Sequence, residues 1–284
     1  MSVAVVTDTC HYLPKELVAQ HHIHQVSLYV HKDGSATRES DITDYDGYYG
    51  ELGSAKQLPT TSQPSIGDFL GVYEPLLQTH DEVVSIHLAG GMSGTVSAAQ
   101  QAAEQLGGRV HVLDSASACG GEGLVVLAAA AAARDGADGA TVAAKTKDAR
   151  AQLSLWFAID TLEFLRRGGR IAGAQAWLGS ALQIKPILTV EDEITPIERV
   201  RTSKRAFERM VDLLRECERG GRDAWVVQHI QAPDQAQELV RRGREIFGSE
   251  PAFVSEIGPV IGTHVGPGLL GAGGLPQSFL QGGS

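Results

Sequence analysis

The pair Ser93-Gly94 has the residue types and the setting for anion chemistry. It follows an apolar run over 83–88 and the turn Gly90-Gly91, and it precedes a helical recurrence of Val96, Ala99, Ala102, Ala103 and Leu106. Strand, tight turn and helix therefore meet there, where unpaired backbone N–H groups and the positive end of the helix dipole face outward. An anion at that point gains several donors at once. Ser93 either receives a carboxylate or phosphate or caps its own helix, a role worth about 1 kcal/mol. A nucleophile elbow is a third use of such a serine, with His264 as base and Asp160 as third member. The stretch Gly91-Met92-Ser93-Gly94-Thr95 carries threonine where that elbow wants glycine. A serine esterase or hydrolase thus stands as the rival to a binding role.

His264 lies between Thr263 and Val265-Gly266-Pro267-Gly268, in a backbone able to approach another loop closely. Its imidazole suits donation to an anion or a structural bond to a carbonyl. Arg166, Arg167 and Arg170 bracket Gly168-Gly169. Three guanidinium groups there suit a phosphate or an acidic partner, and they equally suit a helix carboxyl end. His21, His22 and His24 have no Cys or carboxylate at ligand spacing, so they read as a solvated loop and no metal is expected. Neither a nucleotide-hydrolase phosphate loop nor a dinucleotide fingerprint is present.

The elements that must position these residues follow from periodicity. Strands are predicted over 3–6, 23–30, 83–88 and 110–113; helices over 14–20, 41–52 and 138–152, from Glu122, and along Phe69, Val72, Tyr73, Leu76 and Leu77. This βαβ rhythm predicts a mostly parallel, doubly wound sheet, with ligands beyond the carboxyl ends of its strands, where Thr61, Ser93 and Ser115 fall. Residues 58–65 set three hydroxyls between two prolines, which predicts an ordered loop. The second half reads as strand 153–159, short helix 161–167, a hairpin of 184–190 and 194–200 about Glu191-Asp192-Glu193, helices 204–219 and 234–247, and strands 225–230 and 252–256. That is a mixed sheet with helices. The run 257–268 is either a closing loop or part of a site. At 284 residues the natural division is two α/β domains, 1–155 and 156–284.

A hydrophobic content of 43% supplies a core, and a formal net charge of -10 argues against nucleic acid or an anionic membrane as the main partner. An acidic ligand must then be captured by local geometry. Cys10, Cys119 and Cys217 lie far apart, which suggests neither disulfides nor a zinc site and fits a reducing cytoplasm. The start is apolar, breaks at Asp8 and lacks basic residues, so it reads as a first strand. The apolar run 124–133 is half a membrane span and alanine-rich, a buried helix.

Stretches in one order nearly end to end resemble the DegV family of fatty-acid-binding proteins, which includes the binding subunits of bacterial fatty acid kinases. They are Thr7-Asp8, Thr61-Ser62-Gln63-Pro64-Ser65, Met92-Ser93-Gly94-Thr95, Asp114-Ser115, Asp160-Thr161-Leu162-Glu163, Arg166-Arg167-Gly168-Gly169-Arg170-Ile171, Lys185-Pro186-Ile187 and His264-Val265-Gly266-Pro267-Gly268. The chain departs at Thr9-Cys10-His11-Tyr12-Leu13-Pro14, where the family pattern is more acidic. The resemblance implies two α/β domains with one long-chain fatty acid between them, its carboxylate near Thr61, Ser62, Ser93, Gly94 and His264. It also implies a separate ATP-dependent kinase subunit that phosphorylates this carboxylate, and no catalytic residue or cofactor in the binding subunit. The arginine turn is then the candidate dock for the kinase or the phosphate, and transient membrane contact is compatible with such a cargo. Phe164, Ile171 and Leu178 are candidates to line the tail.

Overall fold

The computed structural model describes residues 2–180 and 184–281, without the side chains of 178–180. β1 (Val3–Asp8), α1 (Lys15–Gln20), β2 (His24–Val26), β3 (Tyr29–Lys32), β4 (Ser35–Arg38), α2 (Tyr45–Ser54) and β5 (Thr60–Ser62) open the chain. α3 (Ile66–Leu76), β6 (Glu82–His87), α4 (Thr95–Ala103), β7 (Val110–Asp114), α5 (Cys119–Arg134) and α6 (Gly139–Gln152) follow. The second half carries β8 (Ser154–Ala158), α7 (Glu163–Arg167), β9 (Lys185–Glu191), β10 (Glu193–Val200), α8 (Ser203–Arg219), β11 (Ala224–His229), α9 (Pro233–Phe247), β12 (Phe253–Glu256), α10 (Pro259–Val265) and β13 (Leu270–Leu275).

The described residues form three sheets. The first is wholly parallel, in the order β2-β1-β6-β7, and is doubly wound. Phe69 and Tyr73 of α3 and Ala98, Ala99 and Ala102 of α4 pack with Ala4, Val6 and Val83 on one face, and α5 covers the other. The second is mixed, in the order β10-β9-β8-β13-β11-β12, with only β11 and β12 parallel among its pairs. Met210, Val211 and Leu214 of α8 and Leu239 of α9 cover its outer face. The third is a small antiparallel sheet, β4-β3-β5.

The alanine-rich run is the helix both large sheets share. A helix apolar on every side must be enclosed, and from Cys119 to Ala132 every residue of α5 is buried. Leu124, Val125 and Val126 join Val5, Val84 and Ile86 of the first sheet and Leu155, Phe157 and Val226 of the second in one cluster. Each such side chain stabilises by about 1.5–3 kcal/mol, and the alanines let the sheets approach from both sides. No helix among the described residues is long and apolar enough to cross a membrane.

Three sequence expectations change, and one element is added. Residues 23–30 are not one strand: β2 and β3 belong to different sheets, because Ser27 and Leu28 are buried where the chain passes from one sheet to the other. The middle of the 58–65 loop is β5, an edge strand, the one place in a sheet that tolerates prolines so near. The run 257–268 contains α10, opened by Pro259 at its first turn. Residues 270–275, to which the sequence reading assigned no element, form β13 in the middle of the second sheet. A Cβ at Gly273 would overlap the Ser154 carbonyl, so the glycine that weakens the strand signal is what permits the pairing.

Candidate ligand site

The site is assembled at the carboxyl end of β6. Asp8, wholly buried at the end of β1, accepts from Leu88 N at 3.0 Å and Cys10 N at 2.9 Å and bonds His87 Nδ1 at 3.1 Å. These charge-assisted bonds fasten β6 to β1 just before the Gly90-Gly91 turn. Gly90 N then donates to Asp114 Oδ2 at 3.1 Å and Gly91 N to Asp192 Oδ1 at 3.1 Å. Asp192, at φ 72° between β9 and β10, returns its own N–H to Ala116 O at 3.2 Å. The second sheet's hairpin therefore rests on the first sheet's turn.

Ser93 lies one residue before the N-cap of α4, and its Oγ accepts from Thr95 N at 3.3 Å and bonds Thr95 Oγ1 at 2.8 Å. Gly94 is the N-cap of α4, and the Gln63 side chain lies against it. Ser62 Oγ bonds His31 Nε2 at 2.8 Å, across the pairing of β5 with β3. Thr61 Oγ1 bonds His264 Nε2 at 2.7 Å. The Nδ1 of His264 is buried without a hydrogen-bond partner. Burial, and then the Arg170 guanidinium, lower the His264 pKa to about 4, so the ring is neutral at pH 7.

Thr61, Ser62, Ser93, Arg170 and His264 share a mouth of about 80 Å³. Behind it lies an apolar chamber of about 30 Å³ walled by Cys119, Phe157, Ile159, Leu188 and Leu269. Met92, Ile194, Ile261 and Val265 belong to both walls. Pockets that enclose drug-sized ligands hold about 300–1,000 Å³, so an acyl chain requires this wall to give way. A more voluminous cleft, about 640 Å³, is lined by Asp160, Glu163, Arg166, Lys185 and Arg201 and suits charge rather than hydrocarbon.

The structure brings Thr61, Ser62, Ser93 and His264 together and sets Gly94 next to them. It divides the arginine turn. Arg170 faces the mouth and donates to Gly168 O at 2.9 Å; Arg166 pairs with Glu163 at 2.6 Å; Arg167 donates to Lys56 O at 2.8 Å. Ser115 does not join them: it bonds Ser117 O and lines another cleft with Asp192. Phe164 and Ile171 pack against the core but line neither the mouth nor the chamber, because the Phe164 ring lies against Gly266; the Leu178 side chain lies outside the described residues. Nor do the described residues assemble a nucleophile relay: Asp160 pairs with Lys185 at 2.6 Å, and His264 Nε2 is on Thr61. Sequence reading missed Gln63 and Asp192. The acidic triplet Glu191-Asp192-Glu193 signalled a turn, not what the turn would touch.

The family model described as "Uncharacterised protein, DegV family" matches residues 2–277. The chain belongs to the DegV family. Protein DegV of Bacillus subtilis is 36% identical to it over 275 residues, which is 95% of this chain and 98% of that protein. A DegV domain-containing protein of Streptomyces coelicolor is 38% identical over 274 residues, 95% of this chain and 96% of the relative. Among solved structures, a DegV family protein from Thermus thermophilus described for its fatty acid binding superposes with a TM-score of 0.88 at 34% identity, covering 97% of this chain and 100% of that one. DegV of Bacillus subtilis, described as a fatty acid binding protein, superposes with a TM-score of 0.88 at 36% identity, over 96% and 98% of the two chains. The parallel sheet and the mixed sheet with their helices are thus the DegV arrangement.

Proposed function

We propose that this DegV family chain binds one long-chain fatty acid, carboxylate in the mouth and tail in the chamber behind it, and presents the carboxylate to an ATP-dependent kinase subunit for acyl phosphate formation. The observation that carries this reading is the shared wall. Hydroxyls, an imidazole and a guanidinium open directly onto apolar side chains through Met92, Ile194, Ile261 and Val265, the polarity gradient of a fatty acid. Support also comes from the Thermus thermophilus and Bacillus subtilis relatives, whose structures are described as fatty acid binding.

The head and the tail have different duties. About 14 buried methylenes at about 0.8 kcal/mol each gain roughly 11 kcal/mol gross, before the cost of ordering the chain. A charge-assisted hydrogen bond at the head contributes about 1.5–3 kcal/mol. The tail supplies affinity; Thr61, Ser62, Ser93, the N–H groups near Gly94 and His264 supply orientation. Arg170 favours the carboxylate electrostatically, and Arg166 and Arg167, both exposed, serve as docking residues for the kinase or the transferred phosphate. In this reading the chain is a cytoplasmic carrier that contacts membranes transiently and does no catalysis itself.

Native mass spectrometry of the purified protein, followed by organic extraction, tests this directly. The expected result is one fatty acid per chain; a chain that carries no lipid and takes none up from solution overturns the reading. In a kinase-coupled assay, Ser93→Ala is expected to lower phosphorylation more than lipid retention, and equal loss of both contradicts the division between head and tail.

A further inference from the structure

His264 reaches the mouth from α10, a helix of seven residues, too short to hold its own conformation in water. Its orientation is therefore set by what grips it. Pro259 has no N–H to satisfy, and the next two N–H groups of the first turn are taken by side chains from the far end of the sequence. Val260 N donates to Glu39 Oε1 at 2.8 Å, and Ile261 N donates to the Tyr12 hydroxyl at 3.2 Å. That hydroxyl in turn donates to the same Glu39 oxygen at 2.8 Å, and Thr9 Oγ1 donates to Glu39 Oε2 at 2.5 Å.

Glu39 is only 2% exposed, and burying a carboxylate is costly unless its oxygens are fully hydrogen-bonded. Here both oxygens are. Gly258 makes the approach possible, since a Cβ there would lie 2.9 Å from Glu39 Oε1 and 2.7 Å from the Tyr12 ring. One turn beyond Val260 and Ile261, His264 meets Thr61. The carboxylate, the helix end and the imidazole thus form one mechanical line.

We propose that Glu39, with Tyr12 as its relay, is the positioning residue of the mouth: it fixes the rotation and axial placement of α10 so that His264 presents Nε2 to Thr61 and to the ligand's head. This rests on the fatty acid reading above as to what the mouth receives. Glu39 touches no ligand; it acts through α10.

The test compares the full wild-type chain with Glu39→Gln and Tyr12→Phe by two readouts. The first is the titration of the His264 ring in the ligand-free protein, followed by NMR. In the wild type the ring stays neutral down to about pH 4; in the variants its pKa is expected to rise toward the ordinary 6.5 as the ring loses its packed setting. The second is affinity for palmitate against affinity for the matching fatty alcohol, measured by displacement of a fluorescent probe. Glu39→Gln is expected to weaken the acid about tenfold, the worth of one head-group hydrogen bond, and to leave the alcohol unchanged, with Tyr12→Phe intermediate. An unaltered histidine titration and an unaltered acid-to-alcohol ratio in a folded Glu39→Gln protein overturn the proposal. If circular dichroism shows that Glu39→Gln does not fold, Tyr12→Phe decides by the same readouts. If the wild type binds neither lipid, the fatty acid reading fails, while the histidine titration still decides whether Glu39 positions α10.

Discussion

Thr61 Oγ1 and His264 Nε2 lie 2.7 Å apart although 203 positions separate them in the chain. An edge strand of the small sheet and a helix near the carboxyl terminus are brought together to make this one contact, and both residues line the mouth with Ser93. Thr61→Val keeps the shape and removes the hydroxyl. It is expected to cost about 1–3 kcal/mol of stability by leaving a buried imidazole nitrogen without a partner, measured by urea unfolding. It is also expected to weaken fatty acid binding; unchanged stability and binding contradict the role given to the pair.

Stability should respond to pH in two opposed ways. The His264 pKa is lowered from 6.5 to about 4 and that of buried His11 likewise to about 4, burial being the main cause in each. Between those values the unfolded chain binds more protons, so these groups withdraw stability as pH falls from 6.5 toward 4. Burial raises the Glu39 pKa from 4.5 to about 7 against the pull of its three hydrogen bonds. The folded chain then binds more protons between those values, so this group withdraws stability as pH rises from 4.5 to 7. His11→Gln removes that residue's share of the first effect and leaves Glu39 in place. Its unfolding free energy is expected to fall less steeply than the wild type's on acidification from pH 6.5 toward 4; parallel curves rule this out.

Asp192 ties the β9–β10 hairpin to the Gly90-Gly91 turn, and Met92, just after Gly91, and Ile194, two residues past Asp192, wall both the mouth and the chamber. Asp192→Ala is expected to cost about 0.5–1.5 kcal/mol, the worth of one hydrogen bond, and to speed exchange of bound lipid. Stopped-flow transfer of a fluorescent fatty acid to vesicles measures it. Exchange no faster than in the wild type shows that the wall opens elsewhere.

The crowded helix between the sheets makes a separate claim. Ala129 is fully buried in α5, and Ala129→Leu is expected to cost about 1–3 kcal/mol through overpacking, lowering the melting temperature. A neutral substitution would mean that the two sheets do not close on this helix as tightly as described.

A hydrolytic serine makes the opposite forecast from a binding one. With Ser93 Oγ on Thr95 and His264 on Thr61, hydrolysis of a p-nitrophenyl acyl ester is expected at the same background rate in wild type and Ser93→Ala. Turnover lost on that substitution favours the hydrolase.

Much of this arrangement was legible because local pattern and global burial agree. The parallel strands are near-continuous apolar runs, and α5 declares its burial by having no polar face. The strand β13 was not legible, since its glycines answer to the backbones of β8 and β11 and not to their own sequence neighbours. The same holds at the site. Ser93 and His264 were visible from turn and loop chemistry, but the pairing of His264 with Thr61, the separation of Arg170 from Arg166 and Arg167, and the reach of Glu39 to α10 are tertiary contacts that no spacing encodes.

The most direct measurement is NMR of a long-chain fatty acid labelled at its carboxyl carbon and bound to the protein. A head held by Thr61, Ser93 and His264 gives one bound resonance that stays ionised to lower pH than the free acid and shifts in Thr61→Val and Ser93→Ala. A carboxyl signal that titrates like the free acid, unmoved by either substitution, places the head in solvent and contradicts the binding mode.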